Sequence, residues 1–535
     1  FEDGKDVIQQ EFEKMGVKVI GKDRYDPRTE WTPKMIAKAL GTEFEEQAIN
    51  ISPIKRPPSL CPGCPYRAFG KAVETLKKKK KLDAVFGDIG CNTLLHFLRA
   101  MDTVVCMGAS DSVRQGSVLS RPELTHRTIS VLGESTECHS GKDATRNAVF
   151  RNIAGVKVVL NNLCTAMTGA QPDPASPMNL DGEPNQFDLV ESLKGEGCKV
   201  VNINAYDADA VSDALKEALE DAENGVFTAL ILEANCLQIV PGKQKKRQYQ
   251  IDEEKCIKCH RCLICPGITA DGKGEVPYFT HICTGCGGHV PSLCAQMCPV
   301  DAIELIEQEE EKIARELDIE IPEFELPAKP KKLPEIMRIG VRGVGGQGNL
   351  FVGKVLGKLA LNLGYDDQKD KNILKGETHG MAQLGGPVIS TLAVGKVHSP
   401  TFLPKTADIL IALEASEVLR DGFLEMLKED GTILLNLERR IPPGMDPEEY
   451  PELDDIRKEL EGYNVIEFDA LEECKKAGDT DGRFVNVVTL GLLSTIPPFK
   501  RFAIEYWWKA LMDCSPTDFL KKANFAAFNA GRKLR

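Results

Sequence analysis

The residues of this chain with the clearest chemistry are its cysteines. Eighteen of the 535 residues are Cys. A dense group reads Cys256-x2-Cys259-x2-Cys262-x2-Cys265-Pro266, then Cys283-x2-Cys286-x7-Cys294-x3-Cys298-Pro299. A further Cys61-x2-Cys64 pair stands upstream, with Cys91 and Cys236 isolated. Thiols spaced this closely, with nothing indicating export, suit metal clusters in a reducing cytoplasm better than disulfides. Structural zinc is the alternative, but zinc takes isolated sets of four rather than an interleaved pair of motifs. A second feature is Gly343-Val344-Gly345-Gly346-Gln347-Gly348 after an apolar run. Glycines there let backbone amides approach a phosphate at a helix start. No convincing acidic residue stands at the end of the next strand to hold a ribose, so an interface or substrate-side loop is expected instead of a dinucleotide site.

Elements must hold these side chains. The length exceeds one hydrophobic core, and about 100–200 residues per domain gives roughly three to five units. The composition, 42% hydrophobic and 27% charged, is that of a globular protein, and no apolar run nears the ~20 residues that span a bilayer. A net charge of −13 argues against a nucleic-acid surface. A cytoplasmic protein is expected, with no membrane and no nucleic-acid partner. The sequence opens on Phe1 without a charged-then-apolar leader, and residues 1–50 read as the connector of a preceding domain. Over 51–250, β-branched runs such as Thr128–Leu132 and Val156–Leu160 alternate with helical stretches, predicting a doubly wound α/β domain. Residues 251–306 are too poor in apolar side chains to fold without inorganic staples. The charged, Pro-interrupted segment 307–335 predicts a short helix and an extended linker. Ile336–Val341 then opens a second α/β domain, 336–535. Lys77–Lys81 is expected to be a solvated helix end, and Tyr506-Trp507-Trp508 a helix packed on its own domain or a partner.

The two dense cysteine motifs together resemble a bacterial two-cluster ferredoxin, one shortened and one lengthened by comparison with the usual spacing. The resemblance implies two [4Fe-4S] clusters, the Cys before each Pro crossing over to the other motif's cluster. Around them, Arg56-Pro57-Pro58-Ser59-Leu60-Cys61-Pro62-Gly63-Cys64-Pro65-Tyr66-Arg67, Gly87-Asp88-Ile89-Gly90-Cys91 and Met107-Gly108-Ala109-Ser110 resemble the thiamine-diphosphate region of indolepyruvate:ferredoxin oxidoreductases. These are 2-oxoacid:ferredoxin oxidoreductases. The likeness continues through Gly133-Glu134-Ser135-Thr136, His139-Ser140-Gly141, Leu160-Asn161-Asn162, Thr165-Ala166-Met167-Thr168-Gly169 and Gln171-Pro172. Residues 336–535 resemble the family's small subunit, called beta or gamma, through the glycine turn and Glu377-Thr378-His379-Gly380-Met381-Ala382-Gln383-Leu384-Gly385-Gly386. The end of the large subunit and the small subunit thus look joined in one polypeptide. A third [4Fe-4S] cluster beside the thiamine is implied, on Cys61, Cys64, Cys91 and Cys236, where it would take electrons one at a time; buried core thiols at Cys91 and Cys236 are the alternative.

The resemblance places Mg2+ and diphosphate at Gly133, Glu134 and Asn162, with the backbone carbonyl near Cys164 and with Thr165, Gly90 and Tyr66 close by; His139 would line the active-site wall, and His379 would face the site or be structural. Three positions depart from the family. Glu134 replaces Asp, one methylene longer beside a cation that demands near-octahedral geometry. Tyr66 replaces His, and Asp111 replaces an apolar residue, bringing a negative charge towards a diphosphate unless Mg2+ or Arg114 compensates. Two readings therefore stand. In the first the chain takes part in oxidative decarboxylation of an arylpyruvate such as indolepyruvate with coenzyme A, passing electrons to ferredoxin or another low-potential carrier. In the second the fold and clusters serve electron transfer without thiamine. The pyrimidine-binding domain that completes thiamine catalysis is expected from a preceding segment or another subunit, in a dimer or larger complex.

Overall fold

Near-continuous apolar runs build the first sheet, as a parallel sheet covered on both faces requires. Its strands are β1 (Ala84–Gly87), β2 (Thr103–Val104), β3 (Thr128–Gly133), β4 (Gly155–Asn161), β5 (Lys199–Asn204) and β6 (Phe227–Glu233), ordered β2-β1-β3-β4-β6-β5 and all parallel. Alternation along β6 shows the two covered faces. Leu230 and Leu232 join the core beneath helices Tyr66–Lys78 and Ala208–Glu223, while Ala229 and Ile231 face helices Ala109–Ser120 and Lys142–Phe150. The computed structural model describes residues 7–19, 33–43, 49–51, 53–237, 247–270, 272–280, 282–306, 319–366, 371–377, 385–442, 445, 447–476 and 482–535.

The cysteine-rich unit is framed by two short antiparallel pairs, β7 (Gln248–Ile251) with β10 (Ile303–Ile306), and β8 (Ile268–Thr269) with β9 (Tyr278–Phe279). β7 starts ahead of position 251, because register with β10 sets where the unit begins. Its apolar cluster is small and includes Cys262 and Cys294. The unit docks on the first domain through Gln296, whose Nε2 donates to Tyr206 O at 2.8 Å and whose Oε1 accepts from Ala208 N at 2.9 Å. That acceptor satisfies one of the free N–H groups at the start of helix Ala208–Glu223.

The C-terminal domain carries a mixed sheet of β11 (Ile336–Val344), β12 (Asn372–Glu377), β13 (Pro387–Gly395), β14 (Ala407–Ala412), β15 (Leu427–Asn436) and β16 (Asn464–Phe468), ordered β12-β13-β11-β14-β15-β16. β13 runs antiparallel to both neighbours; the rest are parallel. Helix Ile504–Cys514 holds Tyr506-Trp507-Trp508 against its own domain: Trp507 packs edge-on against Phe499 and tilted against Phe528, and Trp508 edge-on against Phe324 and tilted against Phe525. Residues 319–335 run extended along that helix, with Tyr506 Oη donating to Pro327 O at 2.7 Å. The short helix expected near the start of the 307–335 segment falls outside the described residues. Lys77 and Lys78 end their helix paired with Asp102 and Glu74, as a solvated end would.

The connector before the first domain lies on the C-terminal domain. Asn50 N donates to Glu459 at 3.1 Å, and the buried Arg56 enters a network of Glu414, Glu417 and Arg440 O. The glycine turn Gly343–Gly348 is filled by its own Gln347, whose Oε1 accepts from Val344 N at 2.7 Å and whose Nε2 donates to Leu413 O at 2.8 Å. Gly345 N donates to Gly386 O and Gly345 O accepts from Gly385 N, and Gly385 faces Ser59 Oγ across a gap where a Cβ would stand 3.4 Å away. The turn thus packs inward and towards the first domain.

Candidate functional site

Parallel strands β3 and β4 are neighbours, so the residues that follow their C-terminal ends meet. Glu134 follows β3, and Asn162 follows β4. Glu134 Oε1 and Asn162 Oδ1 both accept the N–H of Cys164, at 3.1 and 3.2 Å, and Cys164 Sγ reaches Asn162 Oδ1 at 3.3 Å. Leu163, at φ +66°, turns the chain sharply enough to bring Cys164 back under Glu134. Thr165 Oγ1 lies 2.8 Å from Ser135 Oγ and 3.4 Å from Asp173, an acid that spacing alone did not single out. Glu134 is buried, and burial together with the Asp173 charge pushes its carboxyl up to about 8. Two acids and an amide oxygen around one corner, with burial opposing ionisation, fit a small hard cation as counter-charge. A Cβ built on Gly133 would meet nothing within 4 Å, so the strand end opens on free space that a diphosphate could fill. The longer Glu134 therefore still reaches the corner the resemblance assigns.

Asp88, fully buried, organises the adjoining edge. Its carboxylate accepts from the backbone N–H groups of Gly108 (2.8 Å), Ala109 (3.1 Å) and Ser110 (3.2 Å), closing the start of helix Ala109–Ser120. Asn92 and Thr93 tie back to its carbonyl, which fixes the turn through Gly90, at φ +143°, into Cys91. Tyr66, the replacement for His, is buried and donates its hydroxyl to Leu160 O at 3.0 Å, two residues before Asn162. His139 lies exposed on a wide helical turn, Glu137–Gly141, beside Ser140, which packs against Gly108. It does not join the buried set. His379 falls outside the described residues.

Asp111 does not face the open corner. It is buried with Ser130 donating at 3.1 Å, Arg114 Nε at 3.3 Å and Lys157 Nζ at 4.0 Å; Lys157 in turn pairs with Glu137 at 2.5 Å. Two acids and two bases thus close a neutral quartet behind β3 and β4. The expected intrusion of a negative charge towards a diphosphate is met by this pairing, Arg114 included.

The twelve cysteines assigned to clusters gather in three sets. Cys61, Cys64, Cys91 and Cys236 line a cavity with about 570 Å³ of empty space, part of it open to solvent, which also touches Tyr66 and Asn162. Cys265, Cys283, Cys286 and Cys294 line a second, of about 430 Å³, and Cys256, Cys259, Cys262 and Cys298 a third, of about 330 Å³. Each motif thus lends its last cysteine to the other's cavity, the crossed pattern of a two-cluster ferredoxin. In each set the thiols ring a void, the space that a polynuclear cluster would fill. The first two cavities touch. Cys64 lines both, and Gly63 N lies 3.2 Å from Cys265 Sγ. Gly63 takes φ +70°, and a Cβ there would stand 2.9 Å from Leu237, 3.0 Å from Cys286 Cβ and inside contact distance of Thr284 Oγ1. Gly63→Ala should therefore push the cysteine-rich unit off the Cys61–Cys64 loop at a cost of about 1–3 kcal/mol. The check is faster hydrogen exchange at residues 282–298 in an otherwise folded chain.

Comparisons with known proteins fall on the same regions. Residues 88–230 match the family described as thiamine pyrophosphate enzyme, C-terminal TPP binding domain, and residues 338–534 match pyruvate ferredoxin/flavodoxin oxidoreductase. Indolepyruvate oxidoreductase subunit IorA of Thermococcus kodakarensis is 32% identical over 331 residues, 55% of this chain and 50% of its own length. The Pyrococcus abyssi IorA is 33% identical over 333 residues, again 55% and 50%. Subunit IorB of Archaeoglobus fulgidus is 37% identical over 161 residues, 29% of this chain and 75% of its own. The chain spans about half the length of the IorA relatives it matches.

Proposed function

The chain belongs to the indolepyruvate oxidoreductase family, fusing parts that its relatives carry on IorA and IorB, and from that premise we propose that it supplies the diphosphate side and the electron exit of a 2-oxoacid:ferredoxin oxidoreductase. The reaction is oxidative decarboxylation of an arylpyruvate, indolepyruvate by the relatives' names, with coenzyme A, giving an aryl-acetyl-CoA, carbon dioxide, a proton and two electrons. The observation that carries this reading is the first cavity. It shares Asn162 with the Glu134–Cys164 corner on one side and Cys64 with the second cavity on the other.

Bound thiamine diphosphate would supply the carbanion-stabilising thiazolium, and [4Fe-4S] clusters the one-electron acceptors. Glu134 and Asn162, with the backbone at Cys164, would hold the Mg2+ of the diphosphate. Asp88 fixes the start of helix Ala109–Ser120 beside it, and Tyr66 pins the end of β4 so that Asn162 keeps its place. The third cavity is the outlet. Cys259 is exposed there and Ile257 is 60% exposed, leaving an approach for ferredoxin or a similar one-electron carrier. A pyrimidine-binding domain from another segment or subunit completes the thiamine site.

Anaerobically purified protein in complex with that domain should hold about twelve iron atoms per chain, four for each cavity, and bind thiamine diphosphate with Mg2+. Glu134→Gln should keep its iron while weakening thiamine diphosphate binding by at least about 10–100-fold, since loss even of an outer partner of a metal ligand has that effect. A wild-type complex with full iron, no thiamine diphosphate and no CoA-dependent oxoacid oxidation would overturn the reading in favour of a thiamine-free electron carrier.

A further inference from the structure

Arg67 is a buried cation set between the first two cavities. It follows Tyr66 in the first turn of helix Tyr66–Lys78 and is 5% exposed. Its Nε and Nη2 each donate to Cys61 O at 3.4 Å, Nη2 also to Leu60 O, and Nη1 to Ile264 O at 2.7 Å. Leu60 and Cys61 line the first cavity, Ile264 and Cys265 the second, and Arg67 itself lines the second. One planar fork therefore spans from the backbone of a thiol in one set to the backbone beside a thiol in the next. All these partners are carbonyls, and among the described residues no carboxylate pairs with it.

A buried guanidinium without a carboxylate is costly, and carbonyl dipoles offset only part of that cost. The missing negative charge has a natural source in the thiols around it. A [4Fe-4S] cluster with four thiolates is anionic, more so when reduced, and nearby charge sets its potential. We infer that Arg67 is the shared counter-charge of the two clusters it separates, raising the reduction potential of each and easing electron passage across the Cys61–Cys64 loop. Such a passage oxidises one cluster and reduces the other by one electron, with no bond made and no proton moved. This rests on the cluster assignment proposed above.

The test is a reductive titration of the anaerobic complex, followed by electron paramagnetic resonance and driven by a chemical reductant without substrate, on wild type, Arg67→Gln and Arg67→Lys. Arg67→Gln should keep its iron and show lowered midpoint potentials for the two clusters flanking position 67. The cluster of Cys256, Cys259, Cys262 and Cys298, whose cavity Arg67 does not line, should move least and serves as the internal reference. Arg67→Lys keeps the charge but not the three-way carbonyl grip, so it should hold wild-type potentials. Unmoved potentials in iron-loaded Arg67→Gln, or an equal displacement in Arg67→Lys, would reduce Arg67 to a staple and overturn the inference. Should Arg67→Gln fail to retain iron, Arg67→Lys decides alone: wild-type potentials support the counter-charge, displaced ones overturn it. A wild type devoid of iron would sink the functional reading itself, whereas a flat response in loaded protein sinks only the role of Arg67.

Discussion

Replacing Lys157 by methionine is expected to destabilise the first α/β domain by ~3–5 kcal/mol, the usual result of stripping one partner from a buried ion pair. Lys157 stands in the middle of β4, fully buried, and answers both Glu137 at 2.5 Å and Asp111 at 4.0 Å. Without it, Asp111 keeps Arg114, while Glu137 is left with the neutral hydroxyl of Thr145. The expected readout is a fall in the unfolding midpoint of the cofactor-free chain, with hydrogen exchange accelerated along β3 and β4. Charge, rather than shape, is the cause, and pH separates the two. Burial already holds the Glu137 carboxyl above its ordinary value, with Lys157 pulling the other way. An acid raised on folding adds stability below its unfolded pKa, and that contribution is lost as pH rises through the folded value. With Lys157 gone, Glu137 moves further up. The penalty should be largest in neutral and alkaline solution and shrink as pH falls towards the ordinary carboxylate range, where Glu137 takes up a proton. Lys157→Met combined with Glu137→Leu leaves the neutral pair Asp111–Arg114 and should recover most of the loss. A single variant as stable as its parent in neutral buffer would mean that Lys157 does not balance these acids.

The comparison of sequence with structure turns on range. The two sets drawn from 256–298 were legible because ligands to a cluster recur at short, fixed spacing, whereas Cys91 and Cys236, isolated in sequence, were named only through the family resemblance. Glu134 and Asn162 were named through the family resemblance, and the fold supplies the physical reason that they meet: adjacent parallel strands deliver the residues after their ends to one place. Arg56, Arg67 and Lys157 were not legible, since a lone basic residue in sequence looks like any solvated one until the fold supplies its partners from Glu414, Ile264 or Glu137, far along the chain. Asp111 illustrates the halfway case. Its place near the site was readable from the resemblance, but which way the carboxylate turns depends on Ser130 and Lys157 from two neighbouring strands. Asp173 was missed because it lies just past the last motif residue quoted, Pro172, and the β-bridge between Thr165 and Gln171 folds this stretch back towards Glu134.

Arg56→Met should have an effect of similar size at the other end of the molecule, ~3–5 kcal/mol from the C-terminal domain's grip on the connector. Arg56 gives Nη2 to Glu414 at 2.7 Å, Nε to Glu417 at 2.8 Å and Nη1 to Arg440 O at 2.6 Å, with both carboxylates fully buried. Glu417 would keep Arg420, at 2.9 Å. Glu414 would be left with neutral donors only, Tyr450 Oη at 2.5 Å, Ser416 Oγ at 2.7 Å and backbone N–H groups, so its charge would be stranded in a medium that solvates it poorly. Arg56→Lys keeps one charge but cannot answer two carboxylates and a carbonyl from a planar fork, and should recover only part of the stability. The functional cost follows from position. Ser59, which lines the first cavity and faces Gly385, is three residues beyond Arg56, and Cys61 is two further on. Release of the connector should therefore appear first as proteolysis or fast exchange at 53–58, then as loss of iron from the Cys61 set, while the two sets whose four thiols all come from 256–298 keep theirs. Iron lost equally from all three sets would point to global unfolding and contradict a local latch.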